Sequence, residues 1–178
     1  RQTWHYRFPA QDFDAWRGDA FDPAWKQVRP DADPWKWTAG EVVETIRAAG
    51  GEAVANGEDV ADWAGSGRLV QSALDAFGGL DVVVNNAGFV RDRMLVSTSE
   101  EEWDAVVRVH LKGHFAVARH AAAHWRDQAK AGESVDARII NTSSGAGLQG
   151  SVGQSAYSAA KGGIASLTLV QAAELGRY

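Results

Sequence analysis

From Thr38 onward the chain predicts an α/β fold, a parallel sheet with helices on both faces. Three observations carry this. Segments of helical period alternate with short apolar runs. Two of those runs, Leu80–Asn85 and Ala137–Thr142, are continuously apolar, as in strands buried on both faces. Glycines or polar loops punctuate each change of period.

Thr38 and Glu41 fit a capping box that opens the first helix. Val42, Val43, Ile46 and Ala49 give that helix one apolar face, and Gly50-Gly51 end it. Glu52–Asn56 reads as a short strand. Residues 61–77 follow as a helix, with Leu69, Val70, Ala73, Leu74 and Phe77 on one side; Gly65 and Gly67 weaken its first turns. After the strand Leu80–Asn85, Ser99 and Glu102 form a second capping box, which opens a long helix to about Gln128. Glu100–Glu102 is the acidic first turn that the helix dipole favours. Lys130–Asp136 is a polar loop before the strand Ala137–Thr142. Gly145–Gln154 reads as a glycine-rich loop, and the last helix runs from about Ser155 to Leu175.

Residues 1–37 have a different texture. They hold all four Pro, five of the eight Trp, and one Gly of 19. No sustained period runs through them, so an irregular arm is expected, its Trp side chains covered by the rest of the chain or by a neighbouring subunit. The expected division is an arm over 1–37 and one domain over 38–178.

Composition excludes several classes. The 178 residues suit one compact domain. A net charge of −5 argues against nucleic acid as a partner. Without Cys there is no disulfide framework, thiolate chemistry or Cys-ligated metal. No apolar run approaches the ~20 residues of a membrane span. The expectation is a cytoplasmic protein acting on a small molecule. His110 and His114 are four apart, as are His120 and His124, but no HExxH pattern accompanies them, and no metal is expected.

Tyr157 and Lys161 are four apart on a predicted helix and so share a face. An ammonium beside a phenol favours the phenolate and equips the Tyr for proton transfer. Ser144 lies just past the C-terminal end of a strand, the edge where open α/β sheets bind ligands. Its hydroxyl can donate to a substrate carbonyl or alkoxide. Glycines over Gly145–Gly153 allow backbone to approach a ligand closely. Asn85-Asn86-Ala87-Gly88 places small residues at another strand end, where a flat cofactor can lie, and an Asn there can also cross-link strands.

Taken together, Asn85–Gly88 (NNAG), Ser144 thirteen residues before Tyr157, and Tyr157-Ser-Ala-Ala-Lys161 resemble the short-chain dehydrogenase/reductase family. The likeness runs from about Thr38 to Tyr178. It implies a Rossmann-like three-layer sandwich with a parallel sheet, incomplete at both ends. It also implies hydride transfer between NAD or NADP, with NAD favoured, and an alcohol or carbonyl. By that resemblance Tyr157 exchanges the proton, Lys161 supports it and holds the nicotinamide ribose, and Ser144 positions the substrate oxygen. Asp59 and Val60 match the pair that touches the adenine; Asn85, Ala87 and Gly88 match the floor beneath the cofactor. The resemblance further implies a homodimer or homotetramer joined through the long helix and the Tyr-bearing helix.

His110 takes the place of the family's catalytic Asn, and the stretch NNAGFVRDRM…VHLKGHF is similar to (3R)-hydroxyacyl-CoA dehydrogenase domains of multifunctional enzymes and to related bacterial reductases. An imidazole there can hold a water or relay a proton. The glycine fingerprint T-G-x-x-x-G-x-G, which brings a helix N-terminus to the pyrophosphate, is absent from these residues. The alternative is therefore a non-catalytic relative that no longer binds the cofactor and acts as an interaction module. A hydrolase built on Ser144 is remote, because Thr142-Ser143-Ser144-Gly145 is not a Gly-x-Ser-x-Gly elbow.

Overall fold

A computed structural model describes residues 3–7 and 39–178. They fall into two compact units, Gln2–Gly57 and Glu58–Tyr178. Apart from Thr3–Arg7, the Trp- and Pro-rich arm lies outside the described residues, as does the Thr38 half of the first capping box.

In the first unit, strand β1 (Thr3–Arg7) precedes helix α1 (Ala39–Ala48) and strand β2 (Glu52–Asn56). The strands are antiparallel, with Thr3 opposite Asn56 and Arg7 opposite Glu52. This departs from the expected irregular arm and from a place for β2 in the parallel sheet. The run Thr-Trp-His-Tyr-Arg is rich in residues that favour extended backbone, and pairing satisfies its peptide groups. Helix α1 buries Ala39 and Val43, and Arg47 Nη2 donates to the Ala53 carbonyl across 3.0 Å.

The second unit begins with helix α2 (Trp63–Phe77), whose first turn is capped by the Asp62 carboxylate accepting from Gly65 N at 2.6 Å. Strand β3 (Val82–Asn85) and strand β4 (Arg138–Asn141) pair in parallel, Val82 opposite Arg138 and Asn85 opposite Asn141. Between them lie helix α3 (Glu100–Val107), a π-helical turn (Arg108–Lys112) and helix α4 (Gly113–Lys130). The predicted capping box at Ser99 is complete: Ser99 accepts from Glu102 N, and Glu102 accepts from Ser99 N. The π turn breaks what periodicity presents as one continuous helix, and it carries His110. Helix α5 (Gly145–Gln149) and helix α6 (Ser155–Leu175) complete the unit.

Val60, Leu69, Val70, Val83, Val109, Val117 and Trp125 join α2, β3 and α4 in one core. Trp125 Nε1 donates to the Leu80 carbonyl at 2.6 Å, so the indole enters the core with its polar atom satisfied. The strands are not buried on both faces as expected. Val83 and Asn85 point inward, whereas Val84 and Ile140 are 58% and 52% exposed. Among the described residues only one face of this parallel pair is covered.

Candidate active site

Every functional residue singled out after β3 sits beyond, or on an element facing, the C-terminal ends of β3 and β4. The chain leaves β3 through Asn85-Asn86-Ala87-Gly88. Asn85 is buried, and its amide donates to Asn141 Oδ1 at 3.0 Å and to the His114 carbonyl at 3.3 Å. It thus cross-links the strand ends and ties them to α4. Asn141 continues the chain of amides, donating to Thr168 Oγ1 at 2.9 Å and Gln171 Oε1 at 2.8 Å on α6.

His110, on the π turn, is 2% exposed and lies on Gly88. A Cβ on Gly88 would stand 2.1 Å from the imidazole Cε1, so only glycine admits the ring. Its Nε2 is 2.7 Å from the Phe89 carbonyl oxygen and 3.0 Å from Phe89 N. It donates to the first or accepts from the second according to its tautomer. The ring also meets Tyr157 edge-on, with centroids 5.2 Å apart.

Tyr157 and Lys161 share one face of α6, as the spacing required. Lys161 is 3% exposed, and its Nζ lies 5.6 Å from the centre of the Tyr157 ring and donates to the Thr142 carbonyl. Burial pushes the Lys161 ammonium below its ordinary pKa. Ser144 is the N-cap of α5, its Oγ accepting from Ala146 N at 3.2 Å. Capping engages an oxygen lone pair and leaves the hydroxyl hydrogen for another acceptor.

The expected glycine-rich loop is instead a short helix followed by a turn. Gly147 serves packing: a Cβ there would stand 2.5 Å from Gly162 N and from Lys161 C, so α5 rests directly on the backbone of α6. The segment after Phe89 is strapped to the start of α6. Arg93 N donates to the Gly153 carbonyl at 2.8 Å, and Gln154 Nε2 donates to Asp92 Oδ1 at 3.1 Å.

Asp59 and Val60 have their own neighbourhood. The Asp59 carboxylate accepts from Ala61 N at 2.9 Å and pairs with Arg108 at 2.7 Å. Val60 is buried against the backbone of Gly113.

His114, four residues from His110, is 1% exposed. Burial pushes its pKa down to about 4, and the Lys161 and His110 charges act in the same direction. The unfolded chain protonates this imidazole near its ordinary value of 6.5, the folded chain only near about 4. The stability tied to it is therefore full above about pH 6.5 and lost as pH falls towards 4. Urea titrations across that window should show a loss on the order of 3 kcal/mol that His114→Gln largely removes; a variant with the same acid slope as wild type would contradict this.

The profile of the short chain dehydrogenase family matches residues 33–178. The chain belongs to the short-chain dehydrogenase family. Hydroxyacyl-CoA dehydrogenase ChsB1 of Mycobacterium tuberculosis is 56% identical over 146 residues, which are 79% of this chain and 46% of that protein. Peroxisomal multifunctional enzyme type 2 of Mus musculus is 50% identical over 129 residues, 72% of this chain and 16% of that one. The crystal structure of a short chain dehydrogenase from Mycobacterium avium superposes with a TM-score of 0.78 at 71% identity, covering 79% of this chain and 49% of that one. The chain thus spans less than half the length of these relatives. As a short-chain dehydrogenase it has a Rossmann-like α/β fold close to the (3R)-hydroxyacyl-CoA dehydrogenase domain, an oxidoreductase family that uses NAD(P).

Proposed function

We propose that this chain carries the proton-transfer half of an NAD(P)-dependent oxidoreductase acting on the hydroxyl or keto group of a 3-hydroxyacyl thioester. The observation that carries this reading is the convergence of Tyr157, a buried Lys161 and His110 at the end of β3. The thioester class rests on the relatives named hydroxyacyl-CoA dehydrogenase and peroxisomal multifunctional enzyme.

The residues present fit the nicotinamide end of the cofactor. Asn85, Ala87 and Gly88 form a small-residue strand end held flat by the Asn85 amide, and Gly88 has no side chain because His110 occupies that space. Lys161 supplies a cation for the ribose. Asp59 and Val60 would meet the adenine.

A nicotinamide bound there supplies the acceptor or donor of the hydride. In oxidation, the carbinol C–H bond breaks with its electron pair leaving as hydride, the O–H proton passes to Tyr157, and the C=O bond forms. Reduction reverses each step. The Ser144 hydroxyl donates to the substrate oxygen in both directions. The Lys161 ammonium favours negative charge on the Tyr157 oxygen. His110 keeps the Tyr157 ring and the Phe89 backbone in register. We also assign to α4 and α6 the contacts of a homodimer or homotetramer, since Phe115 and Leu169 are 45% and 74% exposed.

The alternative is a relative that binds no cofactor and acts as an interaction module. The readings separate in one assay: absorbance of reduced nicotinamide when the chain is given NAD or NADP and a 3-hydroxyacyl thioester. Growth of that absorbance is expected with thioester and not without it. No growth with either cofactor favours the interaction module.

A further inference from the structure

We infer that Ser143 is a positioning residue that sets the distance between Ser144 and the Tyr157–Lys161 turn. The inference rests on the function proposed above.

Ser143 Oγ donates to the Lys161 carbonyl at 2.9 Å, and the Lys161 side chain donates back to the Thr142 carbonyl. Consecutive residues at the end of β4 therefore grip one residue of α6 from both its main chain and its side chain. Two residues later α5 begins, and its Gly147 lies on the same point, against Lys161 C and Gly162 N. Ser144 is held between these attachments. In the proposed reaction its hydroxyl meets the substrate oxygen, while its neighbour holds the helix that carries the proton donor.

The Ser143 bond is the replaceable part of this grip. Residue 143 is exposed, so truncating its side chain opens no cavity. The Lys161 carbonyl lies inside a helix and keeps its helical role without Ser143. Ser143→Ala should accordingly leave the fold intact and loosen only the registry of α6 against β4.

The test has two arms that fail separately. In the first, the whole chain is pulse-labelled with acetic anhydride, and Lys161 acetylation is read by mass spectrometry against the exposed Lys112 and Lys130. Loss of one hydrogen bond should raise Lys161 labelling about five-fold in Ser143→Ala. Ser143→Thr, which keeps the hydroxyl, should stay at the wild-type ratio. In the second arm, kcat for a 3-hydroxyacyl thioester should fall about five-fold in the Ala variant with KM unchanged, and the Thr variant should restore it. Unchanged labelling in Ser143→Ala, or a Thr variant that behaves like Ala, overturns the tie. Changed labelling with unchanged kcat overturns its positioning role. A wild-type chain without turnover overturns the functional reading, and the labelling arm still decides the tie.

Discussion

Tyr157→Phe is expected to lower turnover by about 10²–10⁴-fold while leaving the fold and the thermal midpoint near wild type. The substitution removes one hydroxyl and keeps the ring. The ring is what His110 meets edge-on at 5.2 Å and what Lys161 approaches at 5.6 Å, so packing around α6 survives. The proton, by contrast, loses its carrier. Steady-state kinetics with either cofactor would show kcat falling with little change in KM, the pattern of an interaction made in the transition state. Activity within a few fold of wild type would mean that another group moves the proton.

Gly147→Ala should be strongly destabilising, because the new methyl meets backbone on the neighbouring helix. The new methyl would lie 2.5 Å from Lys161 C and Gly162 N, both backbone atoms that cannot step aside. Helix α5 must lift from α6, at about 1–3 kcal/mol for forced overpacking. A thermal midpoint lower by about 3–10 °C follows for a domain of this size. Activity should fall with it, because Ser144 caps the displaced helix. Gly145→Ala is the control: a Cβ there meets nothing within 4 Å. Gly163→Ala lies between, since the nearest atoms to its Cβ would be those of the flexible Leu111 side chain, at 3.1 Å. Calorimetry on the three variants should rank them Gly147, Gly163, Gly145. Equal midpoints would contradict the close approach of α5 to α6.

Much of the second unit was legible because its signals are local. The capping box at Ser99 needs only a serine and a glutamate three residues apart, and both halves form. Helix α6 runs over Ser155–Leu175, the span expected of the last helix, and brings Tyr157 and Lys161 onto one face. What could not be read is what depends on distant chain. Strand β2 has the composition of a strand, but its partner is the segment Thr3–Arg7, and no local pattern selects that partner over the parallel pair. Val84 and Ile140 look like residues of a strand buried on both sides, yet among the described residues nothing covers them, because a run of apolar residues does not specify what packs on its second face. Gly147 reads the same in sequence whether a ligand or a helix comes close, and here it is a helix. The grip of Thr142 and Ser143 on Lys161, and the burial of His114, likewise exist only once β4, α4 and α6 meet.

In the proposed function Asn85–Gly88, Tyr157 and Lys161 form the nicotinamide end of a cofactor site. Titration of the purified chain with NADH and NADPH, followed by energy transfer from its eight Trp to the reduced nicotinamide, tests it most directly. Saturable transfer is expected with at least one cofactor, weakened when Lys161 is replaced by Ala. No transfer at millimolar cofactor would contradict it and leave Tyr157, Lys161 and Ser144 as a geometry without a reaction.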